Sequence, residues 1–198
     1  MRYSLNHKAE TRQRLIEQAG SLAKKNGFAT TGVDGLMASV GLTGGAFYSH
    51  FSSKNELFKE IIQKELMDTL KRFLPEDANS SADALRQLLA LYLSPTHVKH
   101  PELGCPLPIL SNEVARSTDD IKQVYESNVI EIQQSLAQIL KDEDTAWATL
   151  ALSMGAVSLS RAMSSDKTKK QILEACKNFI NRSLDHLTNE DSSNEQSQ

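Results

Sequence analysis

Apolar residues recur every three to four positions along nearly the whole chain, the spacing that places them on one face of an α-helix. No segment shows the alternating β-branched and aromatic pattern of a strand. The pattern therefore predicts an all-α protein. Helices are expected at about residues 6–26 and 33–40, and a third begins at about 43. A fourth runs from 53 to Pro75, and the others are expected at 82–93, 106–117, 119–141, 144–164 and 167–187.

The N-terminal part of the chain contains residues that commonly begin or end helices. Gly27 follows the first apolar stripe and suits the left-handed turn that ends a helix. Thr31 is an N-cap candidate for the second helix and Thr43 for the third. Ser53 and Glu56, three residues apart, predict a capping box at the start of the fourth. These residues predict tight turns between the helices of the N-terminal part.

Residues 33–51 have the layout of a helix-turn-helix, in which two short helices meet across a turn that contains glycine. Gly41 supplies the turn, and Phe47 and Phe51 share an inward face of the second helix because they are four residues apart. Gly44 and Gly45 each cost about 1 kcal/mol at helical positions. The absence of side chains at these two glycines would let the N-terminus of the helix approach DNA closely. The alternative is that the glycines only form a turn.

The side chains beside the two phenylalanines have the chemistry of a DNA contact. Tyr48 and His50 carry polar hydrogens for phosphate oxygens, and Ser49 is short enough to lie against base edges. Lys54 adds a cation where a backbone phosphate would lie. These residues predict a sequence-specific DNA-binding protein.

The same residues resemble the N-terminal domain of TetR-type (TetR/AcrR) transcriptional regulators. The resemblance is carried by Thr31-Gly32-Val33, Gly41-Leu42-Thr43, Gly45-Ala46-Phe47-Tyr48-Ser49-His50-Phe51 and Lys54-Asn55-Glu56-Leu57-Phe58. It implies a homodimer whose two recognition helices enter successive major grooves of a palindromic operator. It also implies a C-terminal domain that binds a small-molecule inducer and releases the DNA, so that the protein acts as a repressor.

The resemblance also implies a role for individual residues. Phosphate contacts fall to Thr31, Tyr48, His50 and Lys54. Contacts to bases or to the adjacent backbone fall to Thr43, Gly45, Ala46 and Ser49. Gly44 lies on the same surface, where many members carry a longer polar residue, and one direct base contact is therefore expected to be missing.

Charge and composition agree with this interpretation. Residues 1–59 hold 8 Lys and Arg against 4 Asp and Glu, while the remaining residues hold 14 against 21. The basic end is the one suited to phosphates. No run of apolar residues is long enough for a membrane span, and no secretory signal precedes the first charges, so we expect a cytoplasmic protein. No catalytic, cofactor-binding or metal-ligating pattern is visible, so an enzyme is not expected.

We expect a DNA-binding domain at residues 1–59, a ligand-binding and dimerisation domain at 60–188 and a disordered tail at 189–198. The helix 144–164 is rich in small apolar residues and is expected to be buried. With the helix 167–187 it would form a four-helix bundle between two subunits. The alternative is a core within one subunit.

Any ligand pocket should lie among the helices of residues 82–141, although ordinary core is the alternative for each candidate. The candidates are Leu89, Tyr92, Cys105, Leu107, Leu110, Tyr125 and Val129. Cys105 precedes Pro106, expected at the first position of a helix, and such a location activates a thiol toward electrophiles. A small buried residue is its alternative role. The alternative function is a helical small-molecule-binding protein without a DNA function.

Overall fold

A computed structural model describes the backbone of residues 5–73 and 82–195 and the side chains of residues 7–72 and 82–185. Within these ranges the chain is helical and contains no strand, so the predicted all-α class is confirmed. The α-helices are α1 Leu5–Asn26, α2 Val33–Ala38, α3 Lys54–Phe73, α4 Ala82–Tyr92, α5 Pro95–Lys99, α6 Leu107–Val114, α7 Asp119–Leu140, α8 Glu143–Ala162 and α9 Asp166–Glu195. Two 3₁₀ helices, Gly44–Ser49 and Pro101–Leu103, complete the described elements.

The helix ends follow the capping rules in most places. Gly27, at φ 85°, ends α1 in the left-handed conformation that glycine tolerates best. Asp142 caps α8 by accepting a hydrogen bond of 2.6 Å from the Thr145 amide. The helix predicted at 106–117 is shorter and begins at Leu107, so Pro106 is its N-cap rather than its first helical residue.

Two other expectations differ from the structure. The segment 94–103, predicted only as a proline-rich break, contains α5 and a 3₁₀ helix, because Pro95 and Pro101 occupy first-turn positions that need no amide hydrogen. The helix α9 continues to Glu195, into the segment predicted to be a disordered tail, since no glycine or proline follows Leu187. The predicted polar loop 75–81 lies outside the described residues.

Contacts divide the chain into two compact units that are discontinuous in sequence. The first unit comprises the described residues up to Thr69 together with Pro101–Asn128. The second comprises the described residues of 70–100 and 129–198. The helix-turn-helix is therefore packed with a later segment of the chain that contains α6 and the start of α7.

The core of the first unit is formed by α1, α2, α3 and the 3₁₀ helix Gly44–Ser49, with α6 and the start of α7. Its largest fully buried side chains include Leu15, Met37, Phe47, Phe51 and Ile61. In the second unit α8 packs chiefly against α9. No helix among the described residues is long and apolar enough to cross a bilayer.

Candidate nucleic-acid interface

The segment predicted as the recognition helix is a 3₁₀ helix of six residues, Gly44–Ser49, which we call the recognition segment. Thr43 precedes it in an extended conformation, but the Thr43 hydroxyl makes no capping hydrogen bond, contrary to the prediction. The Ala46 amide instead donates to the Thr43 carbonyl oxygen at 3.0 Å. Two glycines and a length of six residues disfavour a regular α-helix, which explains the tighter form.

Two phenylalanines anchor the recognition segment in the core. Phe47 and Phe51 are 0% and 1% exposed, with ring centroids 5.6 Å apart, so their predicted core role is confirmed. Tyr48 lies edge-on to Phe47 and is 70% exposed. Ser49 is also exposed, and its hydroxyl donates to the Ala46 carbonyl oxygen at 2.7 Å. Burial of the two phenylalanines therefore leaves the polar side chains of Tyr48 and Ser49 exposed to solvent.

Arg12 of α1 holds the end of the recognition segment, a role that the sequence analysis missed. Its Nε donates to the His50 carbonyl oxygen at 3.3 Å, and its guanidinium lies 4.5 Å from the centre of the Phe51 ring. The guanidinium also pairs with Glu60 and with Glu56. The hydrogen bonds from Arg12 to Glu60 raise the pKa of Arg12 further, which keeps this cation charged.

His50 is half-buried, and its Nδ1 is buried with no hydrogen-bond partner among the described residues. Burial lowers the pKa of His50 below its ordinary value of 6.5, and the positive charges of Lys8 and Arg12 lower it further. The imidazole is therefore neutral at pH 7. A neutral ring carries one N–H group, so His50 can offer a single hydrogen bond rather than a positive charge.

The two glycines of the recognition segment differ in their surroundings. A Cβ atom at Gly44 would clash with Oδ1 of Asp34 in α2, so the missing side chain makes room for that carboxylate. A Cβ atom at Gly45 would have no protein atom within 4 Å. Packing within the protein therefore gives a reason for Gly44 but none for Gly45.

Thr31 and Lys54 each donate a hydrogen bond to a carbonyl oxygen of the turn that follows α1. The predicted N-cap role of Thr31 is wrong: Gly32 is the N-cap residue of α2, and the Thr31 hydroxyl donates back to the Gly27 carbonyl oxygen at 3.2 Å. Lys54 Nζ donates to the Ala29 carbonyl oxygen at 3.3 Å and lies 4.7 Å from the centre of the Phe28 ring. An ammonium group has three hydrogens, so this contact leaves Lys54 further donor capacity.

The capping box at the start of α3 forms in part. The Ser53 hydroxyl accepts a hydrogen bond of 3.1 Å from the Glu56 amide, as predicted. The Glu56 carboxylate reaches one residue further back, to the amide and hydroxyl of Ser52. These two hydrogen bonds lower the pKa of Glu56.

The candidate ligand-binding residues fall in both units. In the first unit Cys105, Leu107 and Leu110 are buried, while Tyr125 is half-buried and shares a 2.7 Å hydrogen bond with Ser111. Burial raises the pKa of Tyr125, an effect that this hydrogen bond opposes. The second unit holds three candidates, the buried Leu89 and Tyr92 and the half-buried Val129.

The described side chains include no group of three His, Cys, Asp or Glu that could hold a metal ion.

The helix α8 is only partly buried in the single chain, so its predicted burial would need a second subunit. Its inner face consists of Ala146, Thr149, Ser153, Ala156, Val157 and Ser160. Trp147 and Leu159 are 44% and 53% exposed on the same helix, with the exposed Ala151 and Gly155 at intervals of four between them. Phe179 of α9 is 56% exposed. We call Trp147, Ala151, Gly155, Leu159 and Phe179 the outer face.

Comparison with known proteins agrees with the geometry. The model of the family of bacterial regulatory proteins, tetR family, matches residues 15–61, which include α2 and the recognition segment. A curated relative, the HTH-type transcriptional regulator AcrR of Shigella flexneri, is 38% identical over 52 residues. That match covers 26% of this chain and 24% of the relative, so the similarity extends over about a quarter of each protein.

Solved structures resemble nearly the whole chain in fold. A TetR transcriptional regulator from Chloroflexus aurantiacus superposes with a TM-score of 0.76 and 22% identity, covering 91% of this chain and 96% of that one. The reduced form of NemR from E. coli gives a TM-score of 0.72 and 19% identity, covering 87% and 97%. At these identities the likeness establishes the fold, a helix-turn-helix domain followed by a larger helical domain.

Proposed function

We propose that this chain, a TetR-family protein by its N-terminal sequence and its fold, regulates transcription by binding double-stranded operator DNA through the recognition segment. One observation carries the proposal. Phe47 of the recognition segment and Phe51, two residues after its end, are buried, while Tyr48, Ser49 and Gly45 of the segment are exposed. A rigidly anchored segment with a short polar edge and an open glycine suits close approach to a major groove.

The residues divide between two roles in this proposal. Lys54, Tyr48, His50 and Thr31 donate to phosphate oxygens and set the position of the protein on the duplex. Bases or the neighbouring backbone are contacted by the smaller residues of the segment and its N-cap, Thr43, Gly45, Ala46 and Ser49. Gly44 makes no contact of its own, because its role is to admit the Asp34 carboxylate.

The proposed active form is a homodimer joined through α8 and α9. The outer face supports this, since it places a tryptophan, a leucine and a phenylalanine in solvent in the single chain. Small residues between Trp147 and Leu159 would let a second copy of α8 approach closely. A twofold dimer presents two recognition segments to a palindromic operator.

A small-molecule inducer that releases the DNA completes the proposal, and repression is the proposed direction of control. The buried apolar residues of α6, Leu107 and Leu110, are the candidate lining. Cys105 is 1% exposed, so a reactive electrophile would reach it only after local opening. If the Cys105→Ser variant responds to every inducer like the parent, Cys105 has no sensing role.

The test is binding of the protein to its own upstream DNA, located by nuclease footprinting and measured by fluorescence anisotropy at several salt concentrations. The parent should protect a palindromic site, and log K should fall linearly with log salt. Lys54→Ala should weaken binding to all sequences and reduce the slope by about 0.9 for each phosphate that the protein no longer neutralises. Lys71→Ala is the matched control, because Lys71 is an exposed lysine of α3 outside the proposed interface.

Two results would contradict the proposal. A parent protein that gives no palindromic footprint would favour a helical ligand-binding protein without a DNA function. An unchanged salt dependence in Lys54→Ala would remove Lys54 from the phosphate contacts. Substitutions at Ser49 or Ala46 should instead change which operator is preferred.

A further inference from the structure

Glu113, on α6, holds the turn that follows α1. Its Oε1 accepts a hydrogen bond of 2.8 Å from the Phe28 amide, and its Oε2 accepts one of 2.7 Å from the Ala29 amide. Within the described part of the chain no Lys or Arg pairs with this carboxylate, so both of its oxygens serve the backbone of the turn. A carboxylate that bridges two consecutive amides fixes their orientation more firmly than a single neutral acceptor would.

The close approach of the carboxylate depends on the residue before the turn. A Cβ atom at Gly27 would lie 3.0 Å from Glu113 Oε1, closer than a side chain normally comes. Gly27 also has φ 85°, which other residues rarely adopt. The glycine at position 27 therefore allows the turn to bind the carboxylate of Glu113, which lies 85 residues after Phe28 in the sequence.

The same turn contacts one proposed phosphate donor, Lys54 of α3, and lies next to another, Thr31. Lys54 Nζ donates to the Ala29 carbonyl oxygen, on the residue whose amide binds Glu113. The Phe28 ring lies under Lys54 and stacks on Phe58, with ring centroids 4.4 Å apart. The Thr31 amide donates to the Phe28 carbonyl oxygen at 3.2 Å. Each donor residue is therefore hydrogen-bonded to the carbonyl oxygen of a residue whose amide binds Glu113.

We propose that Glu113 is a positioning residue for DNA binding: through Phe28 and Ala29 it fixes Lys54 in the place where Lys54 contacts a phosphate. This inference rests on the proposed DNA-binding function. Glu113 itself does not touch DNA. Glu113 affects operator binding only through Lys54. A carboxylate that only stabilised the end of α1 would affect binding whether or not Lys54 was present.

The test is a double-variant cycle on operator affinity with Glu113→Gln, Lys54→Ala and the combination. Glutamine keeps the shape of the side chain but has one acceptor oxygen, so one of the two amides loses its partner. Glu113→Gln should weaken operator binding by about fivefold to tenfold and lower the salt dependence. Added to Lys54→Ala, it should weaken binding no further, because the group that it positions is already absent.

Three controls keep the result specific. Glu126→Gln, at an exposed glutamate of α7, should leave operator binding unchanged. Amide hydrogen exchange at Phe28 and Ala29 should be faster in Glu113→Gln while the amides of α3 keep their protection. Glu113→Asp retains the charge but is one methylene shorter, and it should lose operator affinity in the same way.

The outcome distinguishes this inference from the proposed function. If the parent binds its operator and Lys54→Ala weakens that binding, the proposed function stands. In that case an additive effect of Glu113→Gln in the Lys54→Ala background would overturn the positioning role, and so would unchanged affinity in Glu113→Gln and Glu113→Asp. A parent that binds no operator would overturn the proposed function itself.

Discussion

The substitution Gly45→Ala separates the approach to DNA from the folding of the protein. An alanine Cβ at this position would have no protein atom within 4 Å, and the backbone there is not left-handed. Replacing glycine under such conditions commonly stabilises a protein by about 0.4–1 kcal/mol, because the unfolded chain loses freedom. We expect the free energy of unfolding to rise by about 0.5 kcal/mol and Tm by about 1–2 °C.

Gly45→Ala should weaken operator binding although it stabilises the fold. The added methyl group would stand between the N-terminus of the recognition segment and the DNA, and we expect Kd to rise at least tenfold, or about 1.4 kcal/mol. The assay is anisotropy of a labelled operator at two salt concentrations. Because no charge is removed, the salt dependence of Gly45→Ala should match the parent, unlike that of Lys54→Ala.

Gly44→Ala is the matched control for the steric argument. Its Cβ would clash with the Asp34 carboxylate, so the flexible end of Asp34 must rotate and the protein should lose about 0.5–1.5 kcal/mol of stability. The double variant Gly44→Ala/Asp34→Ala should recover that loss. If Gly45→Ala binds the operator as tightly as the parent, the open space at Gly45 is unrelated to DNA and the reasoning fails.

Three further predictions concern other parts of the chain. Trp147→Glu places a charge on the outer face and should yield a monomer by light scattering, whereas a dimer at micromolar concentration would contradict the proposed interface. Lys24→Met should cost about 3 kcal/mol in thermal unfolding, because it leaves the partly buried Glu65 carboxylate, 2.6 Å from Nζ in the parent, without its partner. Lys24→Met/Glu65→Met should regain much of the loss. Because the pKa of His50 is lowered, the imidazole is protonated at a lower pH in the folded protein than in the unfolded chain. The contribution of neutral His50 to stability is therefore full above pH 6.5 and declines as the pH falls below it. The drop in Tm between pH 7.5 and 5.5 should be smaller in His50→Gln, and equal drops would refute the assignment.

Sequence reasoning succeeded where the determinants are local. The spacing of four between Phe47 and Phe51 predicted their shared buried face, and Ser53 caps α3 as its distance from Glu56 indicated. Gly27 ends α1 because a left-handed residue is needed there. In each case the interacting groups lie within one helical turn of each other, so a single sequence contains the information.

The contacts that sequence reasoning missed join residues far apart in the chain. Arg12 lies 38 residues from the His50 carbonyl that it binds, and Glu113 lies 85 residues from the Phe28 amide. No periodicity marks such partners. The Thr31 error has a related cause, since the hydroxyl had two acceptable partners and the left-handed Gly27 brought a carbonyl oxygen within its reach.

The contacts between the helix-turn-helix and the segment 101–128 bear on any attempt to transplant this domain. Lys24 donates to the Gly104 carbonyl oxygen at 3.2 Å, and the Phe28 and Ala29 amides are bound by Glu113. A fragment that stops at residue 69 would lack Gly104 and Glu113, lose these three hydrogen bonds, and expose the surface of α1 that packs against the 3₁₀ helix Pro101–Leu103 and α6. A chimera that takes its DNA specificity from this protein should therefore carry two separate segments of the chain, joined by a linker in place of residues 70–100.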